Sequence, residues 1–174
     1  MRWITRVVRR FPWLAAWTQH IYRLGQGRFT SGAIGILLDE HERVLLVEHV
    51  FHSKHPWGLP GGWVERGETP ARTAEREFLE ETGIEVRVIY PIRVWPSPYW
   101  RSHIDVAFAV EVVEPLTENS IQLSGELINY QWAGLDELPS VLAEHRQVIE
   151  LAVTYRRQRQ LVAKHIPDTL SNES

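Results

Sequence analysis

The sequence predicts an α/β protein, a mixed β-sheet covered by helices. Three observations predict it. Short apolar or alternating segments recur at 30–39, 43–50, 84–95, 103–113 and 127–135, each of strand length. Helical periodicity appears at 70–82 and again at 140–164. Strands and helices interleave along the chain, with hairpin-length links among them, which suits a sheet with helices on its faces.

Residues 3–24 place Trp3, Ile4, Val7, Val8, Phe11, Leu14, Ala15, Trp17, Ile21 and Tyr22 at helical spacing, and Pro12 kinks this helix or starts a second one. "TSGAIGILLD" (30–39) and "RVLLVEHV" (43–50) read as two strands joined by a tight hairpin at "EHE". Residues 51–68, rich in Gly, Pro and His, read as one long loop, and loops of that length in a compact domain usually serve function. The helix over 70–82 has marked ends. Thr69 is a suitable N-cap, Pro70 suits the first helical position, and Gly83 is placed to stop it. "IEVRVIYPIRVW", "HIDVAFAVEVV" and "LINYQWAGL" follow as strands, and "ELP" (137–139) marks a turn. The closing helix puts Val141, Leu142, His145, Val148, Ile149, Ala152 and Tyr155 on one side. The tail "PDTLSNES" is expected to be disordered.

Composition narrows the function classes. A chain of 174 residues with 44% hydrophobic content suffices for one domain with a real core. There is no cysteine, which excludes disulfides and thiolate metal sites. Residues 1–38 hold six arginines and no acid, so the remaining chain carries 13 basic against 22 acidic residues. A body that acidic argues against general nucleic-acid binding.

The acids are concentrated. "GGWVERGETPARTAEREFLEETGI" (61–84) holds six glutamates. Glu77, Glu80 and Glu81 stand at i, i+3 and i+4, so a helix would carry them on one face. Ala71, Ala74 and Phe78 lie on an adjacent face and can dock the helix. Crowded carboxylates raise each other's pKa and cost stability. A hard divalent cation would turn the same oxygens into ligands, and magnesium shares its shell readily with phosphates. The competing reading is a solvated acidic face with Arg76–Glu80 as an ordinary i, i+4 pair.

The spacing decides between them. Gly62, five residues, Glu68, seven residues and "REFLEETGI" (76–84) resemble the Nudix box, with Phe78 and Ile84 at its two bulky apolar positions. "WGLPGG" before the box and "GELINYQWAGLDELP" after it are also similar to that family, and the likeness spans about 29–164. The resemblance implies the Nudix fold, α/β with a mixed sheet sandwiched between helices (α/β/α), here with an extra N-terminal helix. It implies hydrolysis of a nucleoside diphosphate linked to another group, with water attacking phosphorus. Glu77, Glu80 and Glu81 match the metal ligands on the family's helix, and the Gly61 carbonyl matches a backbone ligand. Arg76 matches a residue that orients a catalytic glutamate. Glu68 matches a helper more structural than catalytic. The implied cofactor is Mg2+, with Mn2+ as a substitute. The general base stays open among Glu80, Glu81 and a later-loop acid, for which Glu126 is the better candidate and Glu118 the weaker.

The substrate's second group is less legible. Family subgroups are marked by a proline or a tyrosine some way past the box, the first with ADP-ribose and the second with dinucleoside polyphosphates. Pro98 and Tyr99 stand near that place and neither fits cleanly. ADP-ribose and a nucleotide sugar are the expected substrates. Trp95, Tyr99 and Trp100 are candidate substrate-binding residues, able to stack on a base or to cap the core. His49, His52 and His55 could bind zinc, but a loop at the site entrance is the plainer reading. Lys54 or one of these histidines is placed to touch substrate phosphate. Trp57 is expected to be packing.

The expected organisation is a basic amphipathic segment (1–26), a Nudix domain (27–166) and a tail (167–174). The N-terminal segment admits packing on the domain or on a second copy as a homodimer, weak contact of residues 1–24 with an anionic membrane surface, and a targeting signal. No apolar run is long enough to cross a bilayer, and the expected location is cytoplasmic. The expected partner is a small-molecule nucleotide. The rival function is a catalytically inactive Nudix-fold nucleotide-binding or regulatory module.

Overall fold

The computed structural model describes residues 29–50, 54–117 and 120–165, with side chains to residue 163. The expected helix over 1–26, the tail 167–174, His52 and Glu118 lie outside the described residues. Seven strands and two α-helices follow in order: β1 Thr30–Leu37, β2 Val44–His49, β3 Trp57–Gly58, β4 Gly61–Trp63, α1 Pro70–Thr82, β5 Val86–Pro96, β6 His103–Val112, β7 Leu127–Ala133, a 3-10 turn at Leu135–Glu137, and α2 Ala143–His165.

The expected mixed sheet is present as two sheets. One has the order β4-β1-β6-β5, the other β3-β2-β7. β1 and β6 run parallel and every other pairing is antiparallel. The expected β1–β2 hairpin is corrected. The turn forms, with Asp39 Oδ1 accepting from the His41 and Arg43 amides, but only Leu38 and Val44 bridge before the strands enter different sheets. The expected loop over 51–68 is corrected too, because it carries β3 and β4. Those strands are two and three residues long, too short for side-chain alternation to reveal. β5 tolerates Pro91 because it is an edge strand and shifts register between Pro91 and Arg93.

Alternation along β1 divides the core. Ala33 and Leu37 face one cluster with Val106, Phe108 and Val110, on which α1 sets Ala74 and Phe78. Ile34 and Ile36 face the other, with Ala107, Ala109, Trp95 and, from α2, Val148, Ile149 and Ala152. The helices therefore lie on opposite sides of the strands, as the α/β/α expectation required. Tyr155 does not share the buried stripe of α2, being 36% exposed, and Val153 is buried beside the stripe instead.

Phe78 is fully buried, and a side chain on Gly35 of β1 would strike its ring. This ring fixes the height of α1 over the sheet. Phe78→Ala should lower unfolding free energy by about 3–5 kcal/mol. Urea titration should show the midpoint falling with little change in slope, and a loss below about 1 kcal/mol would mean that the helix is seated by other contacts.

Candidate active site

Helix α1 begins and ends where its sequence directs. Thr69 is extended (φ −96°, ψ 150°) and its hydroxyl accepts from the Arg72 amide. Gly83 takes the left-handed conformation (φ 73°) and donates its amide to the Leu79 carbonyl. With Ala74 and Phe78 turned to the core, Glu77, Glu80 and Glu81 are carried along the side that meets β4. Gly62 makes this approach possible, since a Cβ there would collide with the Glu77 carboxylate. The neighbouring Gly61 amide donates to Glu81 Oε2 at 2.9 Å.

Arg76 binds this face together. Its Nε and Nη2 donate to the two oxygens of Glu68, each at 3.1 Å. Its Nη1 donates to Glu77 at 2.8 Å and to Glu80 at 3.0 Å, and Nη2 also reaches the Trp63 carbonyl at 3.3 Å. Glu68 accepts further from the Thr73 hydroxyl at 2.7 Å. These hydrogen bonds, Arg76 foremost, hold the Glu68 carboxyl down to about 2. The structural role that the resemblance implies for Glu68 agrees with this geometry. The guanidinium is in turn held well above its ordinary range, chiefly by Glu68.

The remaining acids pull the other way. Burial raises Glu77 despite Arg76 beside it. Burial pushes Glu81 up to about 8, against the Gly61 amide, with Glu77, Glu126 and Glu80 adding repulsion. Glu126 thus lies within electrostatic reach of Glu81. The chain before it brings it there, because the Gln122 and Ser124 amides donate to the Thr82 and Glu81 carbonyls at the end of α1. The oxygen-only donor set suits a hard cation. Among the described residues, however, no three Asp, Glu or His side chains stand close enough together to hold an ion. Glu77 and Glu80 are turned to Arg76 and Glu81 to Gly61, so the ligand set that the sequence leads one to expect is assembled on one face but not converged.

A cleft of about 770 Å³ opens between the two sheets. Gly61 and Gly62 line it, while the glutamates stand behind them on the helix side. Trp95, Tyr99 and Trp100 all line the cleft. They differ in burial: Trp95 belongs to the core at 6% exposure, whereas Tyr99 and Trp100 are 67% and 60% exposed. The far side is lined by His49, Lys54, His55 and His145, and the His55 ring bonds the Ser140 hydroxyl at 3.0 Å. Trp57 packs on the core, as expected.

Three cleft residues escape the sequence reading: Trp63, His103 and Asp105. Trp63 follows the two glycines and looks like the start of an ordinary loop. His103 and Asp105 carried a usable signal. They occupy the same alternation as Ala107 and Ala109, so two polar side chains point to the inner face of a buried strand.

The comparisons with known proteins agree with this architecture. A family model described as NUDIX domain matches residues 28–152. The chain is 30% identical over 120 residues to a candidate 8-oxo-dGTP diphosphatase of Bacillus subtilis, covering 68% of this chain and 76% of that protein. It is 34% identical over 130 residues to a CMP-5'-(N-acetyl-N-hydroxy-3-aminopropyl)phosphonate hydrolase of Streptomyces rubellomurinus, covering 70% of this chain and 59% of that protein. A solved NUDIX hydrolase from Nitrosomonas europaea shares the fold with a TM-score of 0.64 at 20% identity, over 76% of this chain and 74% of that one.

The site predicts a pH dependence for the metal-free protein. Glu81 holds its proton to about pH 8 when folded, while an unfolded glutamate releases it near the ordinary value of 4.5. The folded state therefore binds more protons in this window, and stability should fall as pH rises from about 5 to about 8. Glu68 acts oppositely at the acid end: its contribution is present above about 4.5 and lost as pH falls through about 2. Glu81→Gln should flatten the decline between pH 5 and 8 and leave the acid limb intact, as read by thermal melts in chelator. An unchanged decline would remove Glu81 as its source.

Proposed function

The chain belongs to the Nudix hydrolase family, and from that premise we propose that it hydrolyses the pyrophosphate of a nucleoside diphosphate derivative with the help of magnesium. One observation carries this reading. A carboxylate buried deeply enough to be pushed up to about 8, with three other glutamates around it, is costly unless a cation is due there. The Gly61 carbonyl, Glu77, Glu80 and Glu81 are the groups that would hold it. Bound magnesium, or manganese in its place, supplies charge neutralisation at the phosphates and acidity to a bound water.

The chain's own groups have distinct tasks. Gly61 and Gly62 lack side chains where the cleft meets the helix, so a pyrophosphate can come against the backbone there. Arg76 keeps Glu77 and Glu80 aligned, and it orients carboxylates rather than substrate. Glu81, Glu80 and Glu126 are the acids able to take the proton of the attacking water, with Glu81 and Glu126 near enough to repel. Trp95, Tyr99 and Trp100 flank one end of the substrate, while Lys54 and the histidines suit an anionic part at the other. ADP-ribose and nucleotide sugars, both nucleoside diphosphates bearing a second group, remain the candidate substrates.

A panel of nucleotide sugars, ADP-ribose, dinucleoside polyphosphates and nucleoside triphosphates, assayed with and without magnesium, tests the proposal. Turnover of at least one diphosphate derivative should require the metal. Glu81→Gln should then lower turnover by about two orders of magnitude or more, while Glu85→Gln, just past the helix, should change little. Nucleotide binding without any hydrolysis across the panel would establish the inactive module instead.

A further inference from the structure

One row of residues crosses the four-stranded sheet at the mouth of the cleft. Gly32 of β1 pairs with Trp63 of β4 on one side and with Asp105 of β6 on the other, and Asp105 pairs with Trp95 of β5. Directly opposed residues share a face, so two indoles and one carboxylate stand in a line with a gap at Gly32. All four line the cleft. The row below holds Thr30 opposite His103.

The Asp105 carboxylate leans into that gap. A Cβ on Gly32 would sit 2.5 Å from Asp105 Oδ1 and 3.1 Å from His103 Nε2. The carboxylate is aimed by its neighbours. His103 Nε2 lies 3.0 Å from Asp105 Oδ1, and His103 Nδ1 lies 2.8 Å from the Thr30 hydroxyl. An ionised carboxylate only accepts, so Nε2 carries the hydrogen and a neutral ring accepts from Thr30 at Nδ1. His103 is buried at 8% exposure and lies under Trp63, with ring centroids 4.6 Å apart. Trp100 meets Trp63 edge-on at 5.1 Å. An aromatic wall thus stands beside a fixed acceptor, and the Trp63 carbonyl ties the same segment to Arg76.

We infer that Asp105 reads the base of the substrate, and that the preferred base is guanine. The inference rests on the proposed hydrolase only for where the pyrophosphate lies. A base stacked on Trp63 and Trp100 would present its edge to a carboxylate. Guanine offers two adjacent donors on that edge, N1–H and the 2-amino group, which a carboxylate accepts together. Adenine and cytosine each offer one donor beside an acceptor. Uracil offers one donor between two acceptors, which repel the carboxylate. His103 and Thr30 are positioning residues, acting through Asp105. Among the expected substrates, a guanine nucleotide sugar fits this end of the cleft better than ADP-ribose.

Binding of GDP, ADP, CDP and UDP to the full chain, followed by tryptophan fluorescence and calorimetry with calcium in place of magnesium, tests this without turnover. GDP should bind at least about tenfold more tightly than UDP. Asp105→Asn keeps the shape but turns one acceptor into a donor. It should erase most of the GDP preference while altering UDP affinity less than about twofold. His103→Gln should give an intermediate loss, and Gly32→Ala, whose methyl would displace the carboxylate, should lower GDP affinity more than UDP affinity. Equal affinity for the four nucleotides, no binding of any, or an Asp105→Asn effect that is uniform across bases would overturn the inference. The two readings fail separately. Hydrolysis without base preference overturns this one alone, and GDP-selective binding without hydrolysis overturns the proposed activity alone.

Discussion

The geometry of the site depends on the Arg76 guanidinium and what it is asked to hold. Five of its contacts reach three glutamates and one carbonyl: Glu68 twice, Glu77, Glu80 and Trp63. Like charges on one helix face would otherwise splay or take up protons. Arg76 bonds two of the three clustered acids, and Glu81, which it does not bond, is left with the Gly61 amide and a raised pKa. Solvent-exposed ion pairs contribute little by themselves. This network differs because its centre, Arg76, is only 26% exposed and bonds Glu68 through two donors. It keeps the acids together and, through Glu68, adds stability above about pH 4.5.

Packing sets where that network sits. Phe78 and Ala74 lock α1 onto the inner strands, and the glycines at 61 and 62 let the helix's acidic edge reach the backbone of β4. The cleft lies on the opposite face of the same sheet, so β4 separates the cleft from the acidic edge of α1. Its three residues touch both sides: Glu81 bonds the Gly61 amide, Glu77 lies against Gly62, and Trp63 turns its carbonyl to Arg76 and its ring to the aromatic wall. A shift in β4 would therefore move the aromatic wall and the glutamates together.

Much of this was legible in the sequence, and the limits have physical causes. Helix α1 could be read to the residue because Thr69, Pro70 and Gly83 each impose a local conformation. The spacing of Glu77, Glu80 and Glu81 could be read because helical geometry converts it directly into a shared face. The pairing of strands could not, since β1 and β2 look like a hairpin until β6 takes the place beside β1. β3 and β4 escaped because strands of two and three residues have no period. Asp105 and His103 required knowing that β6 is central and buried, and Trp63 required knowing that β4 pairs with β1 beside Gly32. The i, i+4 spacing indicated the Arg76–Glu80 pair, but nothing in it indicated that the same guanidinium would also hold Glu77.

The central claim is that Glu81 carries a proton in the metal-free protein and gives it up when a cation takes its place among the carboxylates. Proton release on titration with magnesium or manganese, followed in weakly buffered solution near pH 7, tests it most directly. Displacement from a carboxyl held up to about 8 should release close to one proton per molecule, falling toward zero near pH 9. Glu81→Gln should abolish most of that release. Tight metal binding with no proton release at pH 7, or release that is the same in Glu81→Gln, would contradict the account.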